Sequence, residues 1–268
     1  MNETVIQFEK FHQLQENDCQ QKIIDAKSKL KDKVVILGHH YQNESVYRHA
    51  DFTGDSLKLA QYTQNLEAQY IIFLGVHFMA EVSNILSRND QVTILPDLSA
   101  GCQMADMADL QKVQRTYREL NKVLNFDEVI TPITYINSAA DLKAFCGEHD
   151  GIVCTSTNAP KVLEWAFQQK EKVLFFPDQH LGRWTGFKMG IDLDDMVVWD
   201  PDLPLGGLTK EQIHRAKILL WKGHCAVHQM FREDHIKKFR EENPDGIVIS
   251  HPESPFEVSV NSDMVGST

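Results

Sequence analysis

The chain has 268 residues, of which 42% are hydrophobic and 24% are charged, a composition typical of a globular protein with a buried core. Its formal net charge of -11 argues against a nucleic-acid partner, because phosphate backbones bind to basic surfaces. No stretch reaches the roughly 18 apolar residues of a membrane span, and the N-terminal residues lack the features of a signal peptide. Because the five cysteines are scattered and form no C-x-x-C pair, we expect a reducing, cytoplasmic location without disulfides.

Short apolar runs followed by helix-like stretches recur along the chain after a polar, helical lead-in over residues 1–33. The predicted strands lie, in order, in VVILGHHYQ, YIIFLGVHFMAE, VTILPDLSAGCQMAD, VITPITYINSAADLKAF, GIVCTSTNAPKVLEWA, KVLFFPDQHLG, AKILLWKGHCAVH and DGIVISHPES. Continuous apolar runs are typical of strands buried on both faces. Their alternation with helical patterns such as SLKLAQYTQ and APKVLEWAFQQ therefore predicts an α/β fold with parallel sheets.

These units also follow a coarser repeat. VTILPDLSAGC and AKILLWKGHC are each a strand, a loop and a cysteine, and each follows two other strand–loop units. The repeat predicts a triplicated α/β domain with three strands in each copy. We expect a first domain over 34–110, a second over 111–228 and a third over 229–268 that is incomplete.

The residues that follow each strand are the candidate ligand-binding groups, because ligands of parallel sheets sit at the carboxyl ends of the strands. These residues are His39-His40-Tyr41, His77, Cys102, Tyr135-Ile136-Asn137, Ser156-Thr157-Asn158, Asp178, Cys225, His251-Pro252-Glu253 and Ser267-Thr268.

The cysteines divide by position. Cys102 and Cys225 occupy equivalent loops, where they are either metal ligands, since thiolates hold iron–sulfur clusters, or simple loop residues. Cys146 at a helix end and Cys154 inside a strand are predicted to be packing residues.

For several other polar residues the sequence allows both a structural and a functional interpretation. Glu253, after a strand, is either part of a solvated turn or an acid/base group. His77 and Glu81 lie four apart on one helix face and would suit zinc, although the full zinc-protease pattern is absent. His39 and Tyr41 are expected on one face of an extended segment. Three further segments either cap helices or form a pocket for a phosphate or carboxylate: Gly54-Asp55-Ser56, Thr155-Ser156-Thr157-Asn158 and Gly266-Ser267-Thr268.

Taken together, several segments resemble the quinolinate synthase family, the iron–sulfur enzymes of bacterial NAD biosynthesis. The resemblance runs from about residue 34 to the end and rests on GHHYQNESVYRHADFTGDSLKLA, GVHFMAE, LPDLSAGCQMAD, TYINSAADLKA, CTSTNAPKVLEWA, FFPDQHLG, WKGHCAVH, SHPESPFEV and DMVGST. The segment GRWTGFKMGIDLDDMVVWDPDLPLGG is similar to the long-chain branch of the family.

The resemblance implies three similar three-layer αβα domains with short parallel sheets around a pseudo-threefold axis, the third of them cut short here. It implies a 4Fe-4S cluster on that axis with one cysteine from each domain. Cys102 and Cys225 match two of these ligands, and the third is expected beyond residue 268 of a longer protein.

The reaction implied by the resemblance joins iminoaspartate and dihydroxyacetone phosphate to give quinolinate, phosphate and water, with L-aspartate oxidase as the functional partner. The matching catalytic residues are Glu253, Tyr41 and His251. The matching substrate-binding residues are His39, Ser56, Tyr135, Ile136, Asn137, Ser156, His251, Pro252, Glu253, Ser267 and Thr268.

Two other classes of function remain open at the level of the residues. One is a zinc or iron hydrolase that uses the histidines, and the other is a non-catalytic α/β module that binds a phosphorylated metabolite. Metal analysis separates these classes. Iron with sulfide favours a quinolinate synthase, zinc favours the hydrolase, and the absence of metal favours the binding module.

Overall fold

The computed structural model describes residue 11 and residues 13–267, and the chain divides into two compact units, Met1–Ala100 and Gly101–Thr268. Each unit is built around a parallel sheet. In the first unit the elements are α1 (Glu16–Leu30), β1 (Val34–His39), α2 (Glu44–Tyr47), β2 (Phe52–Gly54), α3 (Ser56–Thr63), β3 (Tyr70–Leu74), α4 (His77–Leu86) and β4 (Val92–Ile94), with a 3-10 turn over Lys31–Lys33.

The sheet of the first unit has four strands in the order β2-β1-β3-β4, and all neighbouring strands are parallel. Its centre is the pair β1 and β3, where Leu37 lies beside Phe73. Both side chains are fully buried, which explains why these strands are uninterrupted apolar runs.

The second unit has the longer series of elements. They are α5 (Gln103–Asp106), α6 (Leu110–Leu120), α7 (Phe126–Val129), β5 (Ile130–Tyr135), α8 (Ala140–Glu148), β6 (Ile152–Cys154), α9 (Ala159–Gln169), β7 (Lys172–Phe176), α10 (Gln179–Lys188), β8 (Met196–Trp199), α11 (Lys210–Arg215), β9 (Ile218–Trp221), α12 (Glu233–Glu242), β10 (Ile249–Ser250), α13 (Phe256–Val260) and β11 (Met264–Val265). Short 3-10 turns lie at Leu193–Asp195, Pro204–Gly207 and His228–Met230.

The main sheet of the second unit has five parallel strands in the order β6-β5-β7-β9-β8. Successive residues of β7 enter two different cores. Val173 and Phe175 belong to one apolar cluster, and Leu174 and Phe176 belong to the other. The sheet is therefore buried on both faces between layers of helices, as the α/β prediction requires.

A third sheet is short. Strands β10 and β11 pair in parallel, with Ile249 beside Met264, and α13 connects them. The prediction of an α/β fold with several short parallel sheets is confirmed. The pseudo-threefold arrangement and the boundaries at 110 and 228 stay predictions.

The prediction of three strands per copy is wrong for the first two sheets, which have four and five strands. The strands of these two sheets that lie outside the eight predicted runs are β2 and β8. Both lie at a sheet edge and are short, with three and four residues. Among the described residues, every helix is too short or too polar to cross a lipid bilayer.

Candidate active site

The carboxyl ends of three strands in the second unit bring polar side chains around Glu253, which is only 4% exposed. Tyr135, the last residue of β5, donates its hydroxyl proton to Glu253 Oε1 over 2.7 Å. His228 Nδ1 lies 3.3 Å from Glu253 Oε2, and His251 Nδ1 lies 3.8 Å from Oε1. The structure therefore brings together three predicted site residues, Tyr135, His251 and Glu253, and adds His228.

The charges in this group support one another. Burial opposes ionisation of Glu253, but His228, His251 and the Tyr135 hydroxyl hold its pKa below the ordinary value. Burial likewise disfavours a charged His228, yet the Cys225 thiolate and the Glu253 carboxylate raise the pKa of His228 to about 10. Burial, followed by the Glu253 charge, raises the pKa of Tyr135 well above its usual range, so its hydroxyl stays a proton donor.

Cys102 and Cys225 lie on loops that border the same apolar cluster. Cys102 directly precedes α5, and Cys225 follows β9. Both are half-buried free thiols. Burial raises the pKa of Cys102, and the negative charges of Cys225 and Glu253 add to this effect. Burial also acts on Cys225, but His228 lowers the pKa of this thiol below its ordinary value.

Met107 ties the two cysteine loops together. Its carbonyl oxygen accepts a hydrogen bond from Trp221 Nε1 over 3.0 Å, and its Sδ accepts one from the backbone N–H of His224 over 3.3 Å. A Cβ on Gly223 would lie 2.0 Å from the carbonyl oxygen of Pro177, so only glycine fits this close approach. These contacts fix the spacing of the two loops.

Cys146 and Cys154 are packing residues, as expected. Cys146 in α8 is 1% exposed and Cys154 in β6 is fully buried. Burial is the main reason that the pKa of each thiol lies well above its ordinary value.

Asp178 adds a buried carboxyl group to the second unit. It is fully buried at the start of α10, and its Oδ1 accepts the backbone N–H of His180 over 2.7 Å. Its Oδ2 has no hydrogen-bond partner among the described residues. Burial, and then the charge of Glu253, raises the pKa of Asp178 well above its usual range.

The predicted anion-binding segment Thr155-Ser156-Thr157-Asn158 forms a hydrogen-bonded turn just before α9, without a side-chain cap on that helix. In the second unit Thr155 Oγ1 accepts the backbone N–H of Asn158, and Asn158 Oδ1 accepts that of Thr155. Ser156 Oγ lies 2.7 Å from Ser267 Oγ, which joins the loop after β6 to the loop after β11. Thr268 lies outside the described residues.

The remaining predicted residues of this unit lie beside those already described. Ile136 and Pro252 are buried and Asn137 is half-buried. The backbone N–H of Ile136 donates to the carbonyl oxygen of Cys154 over 2.8 Å.

In the first unit, β1 ends at His39, so His39 and Tyr41 do not alternate with His40 along an extended segment as expected. A turn brings all three rings together, with the centroids of His39 and Tyr41 4.4 Å apart. His39 is 3% exposed, whereas Tyr41 is 70% exposed. Burial, and then the positive charge of His40, lowers the pKa of His39 to about 4, so His39 is neutral at pH 7.

Two other predictions fall in the first unit. Ser56 begins α3 directly after Asp55, whose Oδ1 accepts the backbone N–H of Lys58 over 2.8 Å. His77 and Glu81 form a pair 3.7 Å apart on α4, and within the described residues no third metal-binding side chain joins them.

Comparison with known proteins gives a consistent result. A family model described as quinolinate synthetase A protein matches residues 21–268. A quinolinate synthase of Corynebacterium glutamicum is 51% identical over 261 residues, which cover 97% of this chain and 66% of the relative. The corresponding protein of Herpetosiphon aurantiacus is 51% identical over 94% of this chain and 68% of the relative.

A third relative, the quinolinate synthase of Bacillus subtilis, is 48% identical over 97% of this chain and 70% of its own length. The chain thus spans about two thirds of the length of these curated relatives. The region matched by the family model extends through both units. The chain belongs to the quinolinate synthetase A family.

Proposed function

We propose that this chain supplies catalytic residues of a quinolinate synthase, a transferase that converts iminoaspartate and dihydroxyacetone phosphate to quinolinate, phosphate and water in NAD biosynthesis. Membership of the family supports the reaction. The observation that carries the proposal is the buried Glu253, held between Tyr135 and His228 beside the Cys225 thiol.

The two half-buried thiols fit a 4Fe-4S cluster, since thiolates are its usual ligands and both loops border one apolar surface. Cys102 and Cys225 would be two ligands, and the family resemblance implies a third cysteine beyond residue 268 in a longer protein. When bound, such a cluster would supply Lewis-acid chemistry toward a substrate oxygen or nitrogen.

Glu253 is the residue to which we assign proton transfer. Formation of the pyridine ring removes protons from carbon and delivers protons to hydroxyl groups that leave as water, and one carboxylate can do both in turn. The Tyr135 hydroxyl and the ring of His228 hold this carboxylate in one orientation. His251, whose ring stacks on that of His228 with centroids 5.0 Å apart, would orient the substrate.

The residues of the first unit take the remaining roles. Tyr41, with its exposed ring, would exchange protons with substrate, and the neutral His39 would donate or accept a hydrogen bond.

Substrate anions would be held mainly by neutral donors, which suits an acidic protein. Hydroxyl groups and backbone N–H groups at helix starts bind carboxylates and phosphates without a basic surface. We assign this role to Ser56, Asn137, Ser156, Ser267 and Thr268. Tyr135 and Ile136, whose donors are already bonded to Glu253 and Cys154, and Pro252, which has no N–H, would contact the substrate through their side chains. Because an imine hydrolyses readily in water, we expect the iminoaspartate to come from L-aspartate oxidase, in the cytoplasm.

Substitution of Glu253 by Gln tests the acid–base role, because the amide keeps the shape of the side chain and removes its basicity. In the intact, anaerobically prepared protein we expect turnover to fall by about 10²–10⁴-fold, the range of a lost general acid–base group, with substrate binding nearly unchanged. Glu257→Gln, on an exposed carboxylate of α13, is the control and should keep full turnover. Equal turnover in the two variants would contradict the role of Glu253.

Iron and sulfide analysis tests the ligands. Cys102→Ser and Cys225→Ser should each lose the cluster, because a hydroxyl is a poor ligand for it. Cys146→Ser and Cys154→Ser should keep the cluster, with at most a packing cost. Equal loss from all four substitutions would show that the ligands are misassigned.

A further inference from the structure

We propose that Cys225, His228 and Glu253 form a binding site for one Zn²⁺ ion when the protein carries no iron–sulfur cluster. One possible ligand atom from each side chain lies within 4.8 Å of the other two. In the described part of the chain this is the one such group of three histidine, cysteine or carboxylate side chains. Cys102 is not a member of the group.

The donor set and its spacing suit zinc. Thiolate, imidazole and carboxylate are the three kinds of side chain that bind Zn²⁺ in proteins. Bonds of about 2.0–2.2 Å in a tetrahedral site place a nitrogen and an oxygen ligand about 3.3 Å apart. His228 Nδ1 and Glu253 Oε2 are 3.3 Å apart, so these two atoms need almost no movement to share an ion.

The side chains are also held in place before any metal binds. Tyr135 donates to Glu253 Oε1, which leaves Oε2 directed at His228. His228 Nδ1 is buried and has no well-aligned hydrogen-bond partner within the described residues, so a nitrogen lone pair or proton there is unsatisfied. Coordination of an ion would satisfy it.

The backbone explains why Cys225 and His228 face each other. The N–H of Gln229 donates to the carbonyl oxygen of Cys225 over 3.0 Å, and the tight 3-10 turn His228–Met230 follows. The Gln229 hydrogen bond closes one turn of chain, in which the side chains of Cys225 and His228, three positions apart, lie on the same side. With three protein ligands, the ion would keep a fourth position for water.

The zinc site uses the Cys225 thiolate, which the cluster in the proposed function also needs. If that function holds, Zn²⁺ and the cluster cannot occupy one chain together, and bound zinc blocks cluster assembly. The zinc site itself does not depend on the proposed function, because it needs only Cys225, His228 and Glu253.

The test uses the metal-free, reduced protein. Titration with Zn²⁺ against a chelating dye should show one ion per chain, and Co²⁺ should give the visible bands of a tetrahedral site with one thiolate. Loss of a residue that only hydrogen-bonds to a metal ligand weakens metal binding by about 10–100-fold. Cys225→Ser and His228→Gln each remove a ligand and should weaken Zn²⁺ binding by more than this. Tyr135→Phe removes only the hydrogen bond to Glu253 and should weaken Zn²⁺ binding within this range. Cys102→Ser is the matched control and should bind Zn²⁺ like the wild type.

Three results would overturn the site: no Zn²⁺ binding by the wild type, full binding by His228→Gln, or equal weakening by Cys102→Ser, which would indicate a two-thiolate site instead. Circular dichroism of each variant separates loss of a ligand from loss of the fold. The competition is tested by adding iron and sulfide to zinc-loaded protein, where iron uptake should fail until a chelator removes the zinc. Iron uptake by zinc-loaded protein that keeps its zinc would refute the competition. No iron uptake by zinc-free protein that also carries the third cysteine would count against the proposed function and not against the zinc site.

Discussion

The hydrogen bond between Tyr135 and Glu253 offers a quantitative test of the site. Tyr135→Phe removes only the hydroxyl group, which donates to Glu253 Oε1 over 2.7 Å, and the two side chains are 5% and 4% exposed. A hydrogen bond to a charged group contributes about 1.5–3 kcal/mol, so we expect the unfolding equilibrium constant to rise by about 10- to 150-fold. Urea unfolding followed by circular dichroism measures this change.

The chain contains a matched control in Tyr117, whose hydroxyl donates to Asp127 Oδ2 over the same 2.7 Å at an exposed site. Asp127 also keeps a second partner, because His149 Nδ1 lies 2.7 Å from its Oδ1. Water can replace the lost hydroxyl there, so Tyr117→Phe should cost at most about 1 kcal/mol. The two substitutions remove the same atom at the same distance and differ mainly in burial.

A double-mutant cycle isolates the pairwise energy. Tyr135→Phe, Glu253→Gln and the double variant should give a coupling of about 1.5–3 kcal/mol, because each single change already removes the charged hydrogen bond. The cycle of Tyr117→Phe with Asp127→Asn should give a much smaller coupling. Equal coupling in the two cycles would refute the reasoning that the buried Glu253 depends on Tyr135.

Two further predictions concern the loop that carries Cys225. Gly223→Ala should destabilise the protein by about 1–3 kcal/mol because the new Cβ overlaps a backbone oxygen. In the same urea assay Gly147→Ala, whose new Cβ meets nothing within 4 Å, should stabilise α8 by about 0.5–1 kcal/mol. A more stable Gly223→Ala than Gly147→Ala variant would contradict the close approach at Gly223. Trp221→Phe removes the hydrogen bond from the indole to the carbonyl oxygen of Met107 and should speed alkylation of Cys225, measured by mass spectrometry. Trp199→Phe also removes a hydrogen-bonded buried indole but should leave the alkylation rate unchanged. Equal rates in the two variants would show that the loop does not depend on Trp221.

The fold could be predicted from sequence wherever a strand is buried on both faces. All eight apolar runs contain a strand, because a central parallel strand needs apolar side chains at successive positions. Of the four edge strands in the two larger sheets, the runs identify β4 and β6 and miss β2 and β8. β2 has three residues and begins with the exposed Phe52, and β8, although apolar throughout, is a run of only four residues enclosed by acidic segments.

The candidate site could be predicted only in part, for a related reason. The rule that ligands gather at the carboxyl ends of strands identified Tyr135, Cys225 and Glu253. It did not indicate which of them touch, since the Tyr135–Glu253 contact joins residues 118 positions apart. Asp178 was marked only as a residue after a strand, because its complete burial depends on the packing of the whole unit.

His228 had a local signal that sequence reasoning overlooked. It lies three residues after Cys225, and in a tight turn that spacing puts a thiol and an imidazole on the same side. The spacing alone is common and does not distinguish a surface turn from a metal or catalytic group. What distinguishes His228 is the buried carboxylate of Glu253, 3.3 Å away on a distant loop, which raises the pKa of the ring while the ring stabilises the Cys225 thiolate. The chemistry of the site therefore belongs to the group of three side chains, which exists only after the strands that carry Cys225 and Glu253 have folded.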